Sequence, residues 1–320
     1  MNVPSAALQR LRLRTELRRA RTAAQLTQRQ VAAKMEWSPS KLIRIEAGEV
    51  GISVNDLRPL LDAYGIRDRR KIEELLDLAR GSRRMPFSEY RDLYTKEFLA
   101  FLALETSASI VRHYGALLMP GSLQTEEYAR AIMLSYEKDI PEERLERSVE
   151  VRLTRQELLT SGGREVFYIL DEAVVRRHVG GRGVMRAQLE RLAELAERPG
   201  VTIQILPFSV GAHAGIQGPF SHFEFGVDEM PDSLYLENPR GDSYVTDAPE
   251  ETGRYLERFW ELEDLAIKDD MPALLRALAA RVGEGSDDLE TLIRDVVPQE
   301  APPEVAQEAA QEVPQEVPQG

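Results

Sequence analysis

Hydrophobic and polar residues from position 26 to 48 follow the spacing of two short helices joined by a sharp turn. Thr27 provides a hydroxyl N-cap for the first helix, which is predicted to run to about Met35. Ser38 caps the second helix, and Pro39 takes its first position, where the missing N–H costs nothing. Four apolar residues on the facing sides predict a small shared seam: Val31, Ala32, Leu42 and Ile45.

The outward face of the second helix is polar and basic. Ser40 and Arg44 lie four residues apart and share this face, with Lys41 at its edge. Two short crossing helices with such a face are typical of a helix-turn-helix, whose second helix enters the major groove of DNA. The alternative is an ordinary helical hairpin with a solvated basic face. It is disfavoured because the caps, the turn and the small residues all fall in register.

Five residues of this motif are candidate DNA contacts. Gln28, at the start of the first helix, is expected to contact the backbone or a base edge. Ser38 and Lys41 are expected to hold phosphates, whereas Ser40 and Arg44 are expected to reach base edges in the major groove.

The segment also carries a combination of residues that is found in one group of regulators: Thr27-Gln28, Val31-Ala32, Ser38, Arg44-Ile45-Glu46 and Gly48. In these positions it resembles the Xre-type helix-turn-helix transcriptional regulators. That family usually has glycine in the turn, where this chain has Glu36, and the resemblance implies a positive φ at this position. A non-glycine residue with positive φ costs about 1 kcal/mol, so we expect a slightly altered turn.

Helical apolar spacing continues beyond the motif and predicts an all-helical domain over residues 1–82. Ser53 is expected to cap a helix that runs through Tyr64, and Asp68 another that runs through Arg80. The following Gly-Ser-Arg-Arg-Met-Pro run interrupts the pattern and predicts the domain boundary.

Residues 87–270 mix helical and strand patterns and predict an α+β domain with a mostly antiparallel sheet at its C-terminal end. The fold class of the whole chain is therefore α+β. Helices are predicted near 87–104, 122–136, 142–160, 183–198 and 248–266. Strands are predicted near 108–114, 166–170, 201–206, 219–225, 233–237 and 243–246.

The C-terminal part contains two amphipathic segments and a low-complexity tail. Within 271–297, short helices are predicted at 272–282 and 287–297. Beyond them, residues 298–320 consist almost entirely of Pro, Gln, Glu, Ala and Val, a composition that predicts disorder. One face of the second short helix forms an apolar stripe that a partner could bind: Leu289, Leu292, Ile293 and Val296.

Charge is distributed unevenly along a chain whose net charge is −13. Residues 1–84 carry 18 Lys+Arg against 10 Asp+Glu (+8), residues 85–283 carry 22 against 34 (−12), and residues 284–320 carry 1 against 10 (−9). This asymmetry indicates a basic nucleic-acid-binding end on an acidic remainder. Arginines concentrated in the first helix are interpreted as phosphate contacts, the alternative being a solvated helix face: Arg12, Arg14, Arg18, Arg19 and Arg21.

Composition excludes several classes of protein. The chain has no cysteine, which removes disulfides, thiolate metal sites and cysteine nucleophiles. Hydrophobic content of 42% and charged content of 30% are typical of soluble globular proteins. No apolar run has the length of a membrane span, and the N-terminus lacks the layout of a signal peptide, so we expect a cytoplasmic protein without a membrane partner.

Catalytic and cofactor-binding patterns are weak. His213 and His222, with Glu224 and Asp228, match no metal-ligand spacing, and structural histidines are the favoured interpretation. The glycine-rich stretches lack the context of a phosphate-binding loop, and no serine lies in a nucleophile elbow. We therefore expect no metal, no cofactor and no enzyme activity. The loop 211–218 is a candidate pocket rim, with a long hairpin-like loop as the alternative.

The second domain carries further shared motifs: Leu104-Glu105, the run PGSLQTEEYAR over 120–130, Arg152, Arg155-Gln156, Asp171-Glu172-Ala173, His213-Ala214-Gly215 and Gly218-Pro219-Phe220. These resemble the domain that follows the helix-turn-helix in many actinomycete antitoxin-like regulators, over about residues 10–267. Ser122 stands where that family usually has leucine. The resemblance implies an architecture and a small partner protein encoded nearby, but no reaction.

The leading hypothesis is a sequence-specific regulator of transcription that binds double-stranded DNA as a homodimer and whose second domain responds to a partner protein or small ligand. One alternative is an antitoxin-like module that sequesters a small partner protein and regulates its own synthesis. Another is an enzyme that uses the helix-turn-helix only for targeting.

Overall fold

Five helices form the N-terminal part of the computed structural model, which describes residues 6–82, 87–160, 163–227, 230–237 and 244–282. Each of the four helices after the first begins at a polar N-cap whose side chain accepts a backbone N–H: Thr27, Ser38, Ser53 and Asp68. All four predicted caps are confirmed, and each is worth about 1 kcal/mol. The helices are α1 (Ala6–Ala23), α2 (Gln28–Lys34), α3 (Pro39–Glu46), α4 (Val54–Ala63) and α5 (Arg69–Gly81).

The predicted seam between α2 and α3 is confirmed, because all four of its apolar residues are buried. Leu13 and Leu17 of α1 pack in the same core. Leu11, two residues before Leu13 in α1, instead joins the core of the following part of the chain. Helix α1 therefore contributes to both cores, and it fixes the position of the helix-turn-helix relative to the rest of the molecule.

A six-stranded mixed sheet organises the second part. Its strand order is β3-β2-β1-β4-β5-β6, in which β1 and β3 run parallel to β2 while the other three pairings are antiparallel. The α+β fold class and the antiparallel C-terminal portion are confirmed, whereas the parallel pairings were not anticipated. The strands are β1 (Ile110–Gly115), β2 (Glu165–Asp171), β3 (Val201–Leu206), β4 (Phe220–Glu224), β5 (Ser233–Leu236) and β6 (Tyr244–Thr246).

Helices cover both faces of the sheet. On one face, α6, α10 and α12 enclose the larger core; on the other, Phe259 and Leu262 of α11 pack on Tyr114 and Phe220. The helices are α6 (Lys96–Ser107), α7 (Glu126–Tyr136), α8 (Glu142–Thr160), α9 (Glu172–Arg176), α10 (Arg182–Ala196), α11 (Pro249–Leu265) and α12 (Met271–Arg281). None of the helices in the described ranges is long and apolar enough to cross a membrane.

Two helix boundaries differ from the prediction. The helix predicted from residue 87 begins at Lys96, because Thr95 caps it, and the preceding residues form a short 3₁₀ turn. The helix predicted from residue 122 begins at Glu126 after a cap at Thr125. The short helix α9 was not predicted. The apolar stripe of 287–297 and the tail 298–320 lie outside the described residues.

The loop 211–218 packs against the C-terminal ends of β1 and β2. His213 accepts the Gly215 N–H at 3.2 Å, and its Nε2 lies 3.8 Å from the Asp171 carboxylate. A Cβ on Gly215 would lie only 2.5 Å from the buried Tyr114 ring. The loop is therefore packed tightly onto the strand ends, which agrees with the structural interpretation of His213.

We predict that Gly215→Ala destabilises the protein by about 1–3 kcal/mol, because its Cβ would overpack against the Tyr114 ring. The matched control is Gly253→Ala in the interior of α11, where no atom lies within 4 Å of the added Cβ. This control is expected to raise the free energy of unfolding by about 0.5–1 kcal/mol, because alanine favours the helix more than glycine does. Urea unfolding of the two variants measures both changes, and equal shifts of the same sign would contradict the proposed packing.

Candidate nucleic-acid interface

Helix α3 presents one polar face to solvent and one apolar face to the core. Leu42 and Ile45 are buried beneath it, while Ser40 is exposed and the Arg44 side chain is 49% exposed. Ile43 lies on the same outward side, since it is three residues from Ser40, and it is 46% exposed. We call Ser40, Ile43 and Arg44 the reading face. A hydroxyl, an apolar side chain and a guanidinium are the kinds of group that contact base edges in a major groove.

Ser38 and Lys41 lie at the N-terminal end of α3. Ser38 Oγ accepts the Lys41 backbone N–H at 3.3 Å and lies 3.1 Å from Ser40 Oγ. Lys41 Nζ lies 3.2 Å from Asp56 and 4.0 Å from the centre of the Trp37 ring. An exposed ion pair of this kind is worth about 1 kcal/mol or less. Lys41 can therefore exchange Asp56 for a phosphate at little cost.

Gln28 has a structural contact that sequence reasoning missed. Its side-chain N–H donates to Glu46 at 2.9 Å, which ties the start of α2 to the end of α3. Glu46 is 1% exposed and also accepts two hydrogen bonds from Arg21, at 2.7 and 3.0 Å. These hydrogen bonds to Glu46 raise the pKa of Arg21. Within the described ranges, the second side-chain N–H of Gln28, its side-chain oxygen and its backbone N–H then remain to face a ligand.

The arginines of α1 bind carboxylates of the protein, and for the largely buried Arg14 and Arg21 this contradicts their interpretation as phosphate contacts. For the exposed members of the run that interpretation stays a prediction. Arg14 and Arg18 both pair with Asp247, at 3.1 and 3.0 Å. The side chains of Arg14 and Arg21 are only 14% and 16% exposed. The others pair with glutamates of the helical bundle: Arg12 with Glu74, Arg19 with Glu16, and Arg21 with Glu46. A basic run in sequence cannot distinguish these internal pairs from phosphate contacts.

Arg29 is a basic residue near α3 that sequence reasoning overlooked. It is exposed at the second position of α2, and within the described ranges it has no salt bridge or side-chain hydrogen bond. Its position beside Gln28, near the positive end of the α2 dipole, suits a phosphate. Ile43 was overlooked because an apolar residue on a short amphipathic helix is usually expected to be buried in the core.

The four histidines are dispersed. Burial lowers the pKa of His113 to about 3, and its Nδ1 lies 2.6 Å from Ser221 Oγ. His222 is fully buried in the sheet with Nε2 3.4 Å from Asp232, and His178 is exposed. In the described part of the chain no three histidine, aspartate or glutamate residues are placed to hold a metal ion. Asp228, part of the metal site considered from sequence, lies outside that part.

Comparison with known protein families gives two matches along the chain. Residues 12–75 match the family described as a helix-turn-helix domain. Residues 98–271 match the family described as a domain of unknown function (DUF5753). Among curated proteins and among solved structures, nothing matches the chain.

The turn between α2 and α3 has the left-handed residue that the resemblance implied, since φ of Glu36 is 56°. The chain still closes the turn, with Trp37 N–H donating to Ala32 O at 2.8 Å. The predicted positive φ is confirmed, and the non-glycine residue leaves these hydrogen bonds in place.

We predict that Glu36→Gly stabilises the protein by about 1 kcal/mol, because glycine adopts positive φ without a steric penalty. Glu36→Ala is the matched control, since it removes the charge but keeps the Cβ. Thermal unfolding of both variants tests the prediction. An equal gain in the alanine variant would assign the effect to charge instead of backbone strain.

Proposed function

We propose that this chain, which belongs to the DUF5753 family and carries a helix-turn-helix domain ahead of it, regulates transcription by binding a specific sequence of double-stranded DNA. The observation that carries the proposal is the exposed reading face of α3, which combines a hydroxyl, an apolar side chain and a guanidinium on one side of a capped helix. The net charge of +8 over residues 1–84 supports it, because phosphates attract a basic surface.

Each contact residue has a distinct role in this proposal. Arg44 reads a base edge through its guanidinium, and Ser40 reads a neighbouring base through its hydroxyl. Lys41, Ser38 and the start of α2 at Gln28 hold phosphates and thereby set the register of α3 in the groove. Arg29 adds a phosphate contact beside Gln28.

The active species is proposed to be a homodimer of the Xre type. One short recognition helix reads few bases, so selectivity requires two half-sites, with centres about 10 bp apart or a multiple of that. The second domain is proposed to adjust DNA affinity in response to a small ligand or a partner protein. The ion pairs of Arg14 and Arg18 with Asp247 support such coupling, because they connect it to the helix-turn-helix.

Selection of bound sequences from random double-stranded DNA by the purified full chain tests the function, followed by footprinting of the selected site. Enrichment of one sequence, with protection of two symmetric half-sites, is expected. Failure to enrich any sequence, with equal affinity for all DNA, would contradict sequence-specific regulation.

We predict that Arg44→Ala weakens binding to the selected sequence by about 1–3 kcal/mol, because a base contact is lost. The variant should also relax the base preference at one position of the site. Lys41→Ala should weaken binding to all sequences alike, because one phosphate contact is lost. The slope of log K against log salt concentration should fall by about one unit. Fluorescence anisotropy over a salt series measures both. Arg58→Ala, which removes an exposed arginine of α4, is the control and should leave binding unchanged.

We predict that Ile43 contacts a thymine methyl group, since it is the apolar member of the reading face. Replacing thymines of the selected site one at a time with deoxyuridine removes only the methyl group. One replacement should weaken wild-type binding by about 1 kcal/mol, the order of burying one methyl group. The same replacement should have no effect on Ile43→Ala. Equal losses in the two proteins would show that Ile43 does not read this position.

A further inference from the structure

Three exposed apolar side chains lie at the edge of the sheet where the parallel strands end. Strands β1, β2 and β3 run in the same direction and β4 runs opposite to β1, so the loops 116–125 and 207–219 lie at one edge. Leu117 in the first loop is 60% exposed, and Phe208 and Ile216 in the second are 58% and 66% exposed. We call these three residues the edge patch.

The two loops that carry the edge patch contain no charged residue, although 30% of the residues of the chain are charged. Their one titratable side chain, His213, is only 9% exposed. The neighbouring carboxylates act within the chain, since Asp171 accepts the Ala173 N–H at 2.9 Å and Glu172 accepts the Phe208 N–H at 2.7 Å. Apolar surface without charge is typical of the buried centre of an interface.

The other exposed large apolar residues of the described ranges have different surroundings. Ile43 belongs to the reading face. Leu134 and Tyr136 of α7 are followed directly by Glu137-Lys138-Asp139. Trp260 and Leu265 of α11 lie in a stretch rich in carboxylates: Glu257, Glu261, Glu263 and Asp264. The edge patch is therefore the place that best suits an apolar occupant.

The chain leaves the described ranges close to this edge. Val282, their last residue, lines a small recess together with Arg176. Nε of Arg176 lies 3.6 Å from the carboxylate of Glu172, whose other oxygen holds the Phe208 N–H. Two side chains thus connect the end of α12 to the edge patch. The next four residues, 283–286, can span about 13 Å when extended.

The segment 287–297, which follows these four residues, has the pattern of an amphipathic helix. Its apolar stripe recurs at helical spacing, and Asp287 and Asp288 in its first turn favour a helix electrostatically. A helix of eleven residues is about 16 Å long. With the preceding linker, such a helix is long enough to reach from Val282 to the edge patch.

We propose that the segment 287–297 docks as a helix on the edge patch of its own chain, with Leu289, Leu292, Ile293 and Val296 facing Leu117, Phe208 and Ile216. The short linker keeps the segment at an effective concentration in the millimolar range, so a small interface is sufficient. A second copy of the chain suits the patch less well. Residues 85–283 carry a net charge of −12, so two copies would repel each other.

Double electron–electron resonance between two nitroxide labels tests the docking in the full chain. The chain has no cysteine, so Ser209→Cys and Thr291→Cys introduce the only two labelling sites. Ser209 is exposed beside Phe208, and Thr291 lies opposite the apolar stripe on the predicted helix. A single narrow distribution of distances is expected. A broad distribution in the otherwise unaltered chain would overturn the proposal.

Ile216→Asp on the edge patch and Ile293→Asp on the stripe should each abolish the narrow distribution, because a carboxylate would have to be buried against apolar side chains. Ile293→Leu should retain it. Two matched controls place the same charge elsewhere and should also retain it: Tyr136→Asp, at an exposed position of α7, and Val305→Asp, beyond the segment. Thermal unfolding of each variant establishes that it is folded before the distances are measured.

Dilution of the doubly labelled chain with an excess of unlabelled chain distinguishes the possible occupants. A narrow distribution that persists shows docking within one chain, whereas its loss would assign the contact to a second copy and overturn the proposal. A narrow distribution that survives in the folded Ile216→Asp and Ile293→Asp variants would place the segment elsewhere and would also overturn it.

Discussion

Three arginines of α1 hold the C-terminal end of the recognition helix, and the placement of the reading face depends on them. Arg21 binds the buried carboxylate of Glu46, Arg18 donates to the Glu46 carbonyl oxygen at 3.2 Å, and Arg14 donates to that of Ala47. The last carbonyls of a helix lack partners within the helix and carry its negative dipole end, so cations there stabilise it. A buried carboxylate without Arg21 would cost several kcal/mol, which makes this arrangement strongly preferred.

The same arginines connect the two parts of the molecule. Arg14 and Arg18 each use one nitrogen for α3 and another for Asp247, which follows the last strand of the sheet. A change at Asp247 therefore reaches the recognition helix through two side chains and no intervening element. Because Leu11 of α1 also belongs to the larger core, α1 has little freedom to absorb such a change. The proposed regulation of DNA binding by the second part would therefore need no element other than α1 to reach α3.

Much of the helix-turn-helix was predictable because its signals are local. A cap such as Thr27 bonds a backbone N–H three residues away, and the seam residues recur at helical spacing. The left-handed turn at Glu36 was found from a family pattern alone. The role of Gln28 was missed for the opposite reason, since its partner Glu46 lies eighteen residues further along the chain. Local patterns do not indicate which carboxylate an amide or a guanidinium will meet.

The sequence by itself determined the starts of α2 to α5, the buried seam, the basic N-terminal charge and the α+β class, because each follows from local patterns or from composition. Only the tertiary structure decided the parallel pairing of β1, β2 and β3, since a buried strand carries no mark of its neighbour's direction. It also decided that the α1 arginines bind carboxylates of the protein, and that Arg10 and Arg14 share a recess with Val245. Asp247 and Val245 lie more than two hundred positions from Arg14 along the chain, a distance over which sequence periodicity carries no information.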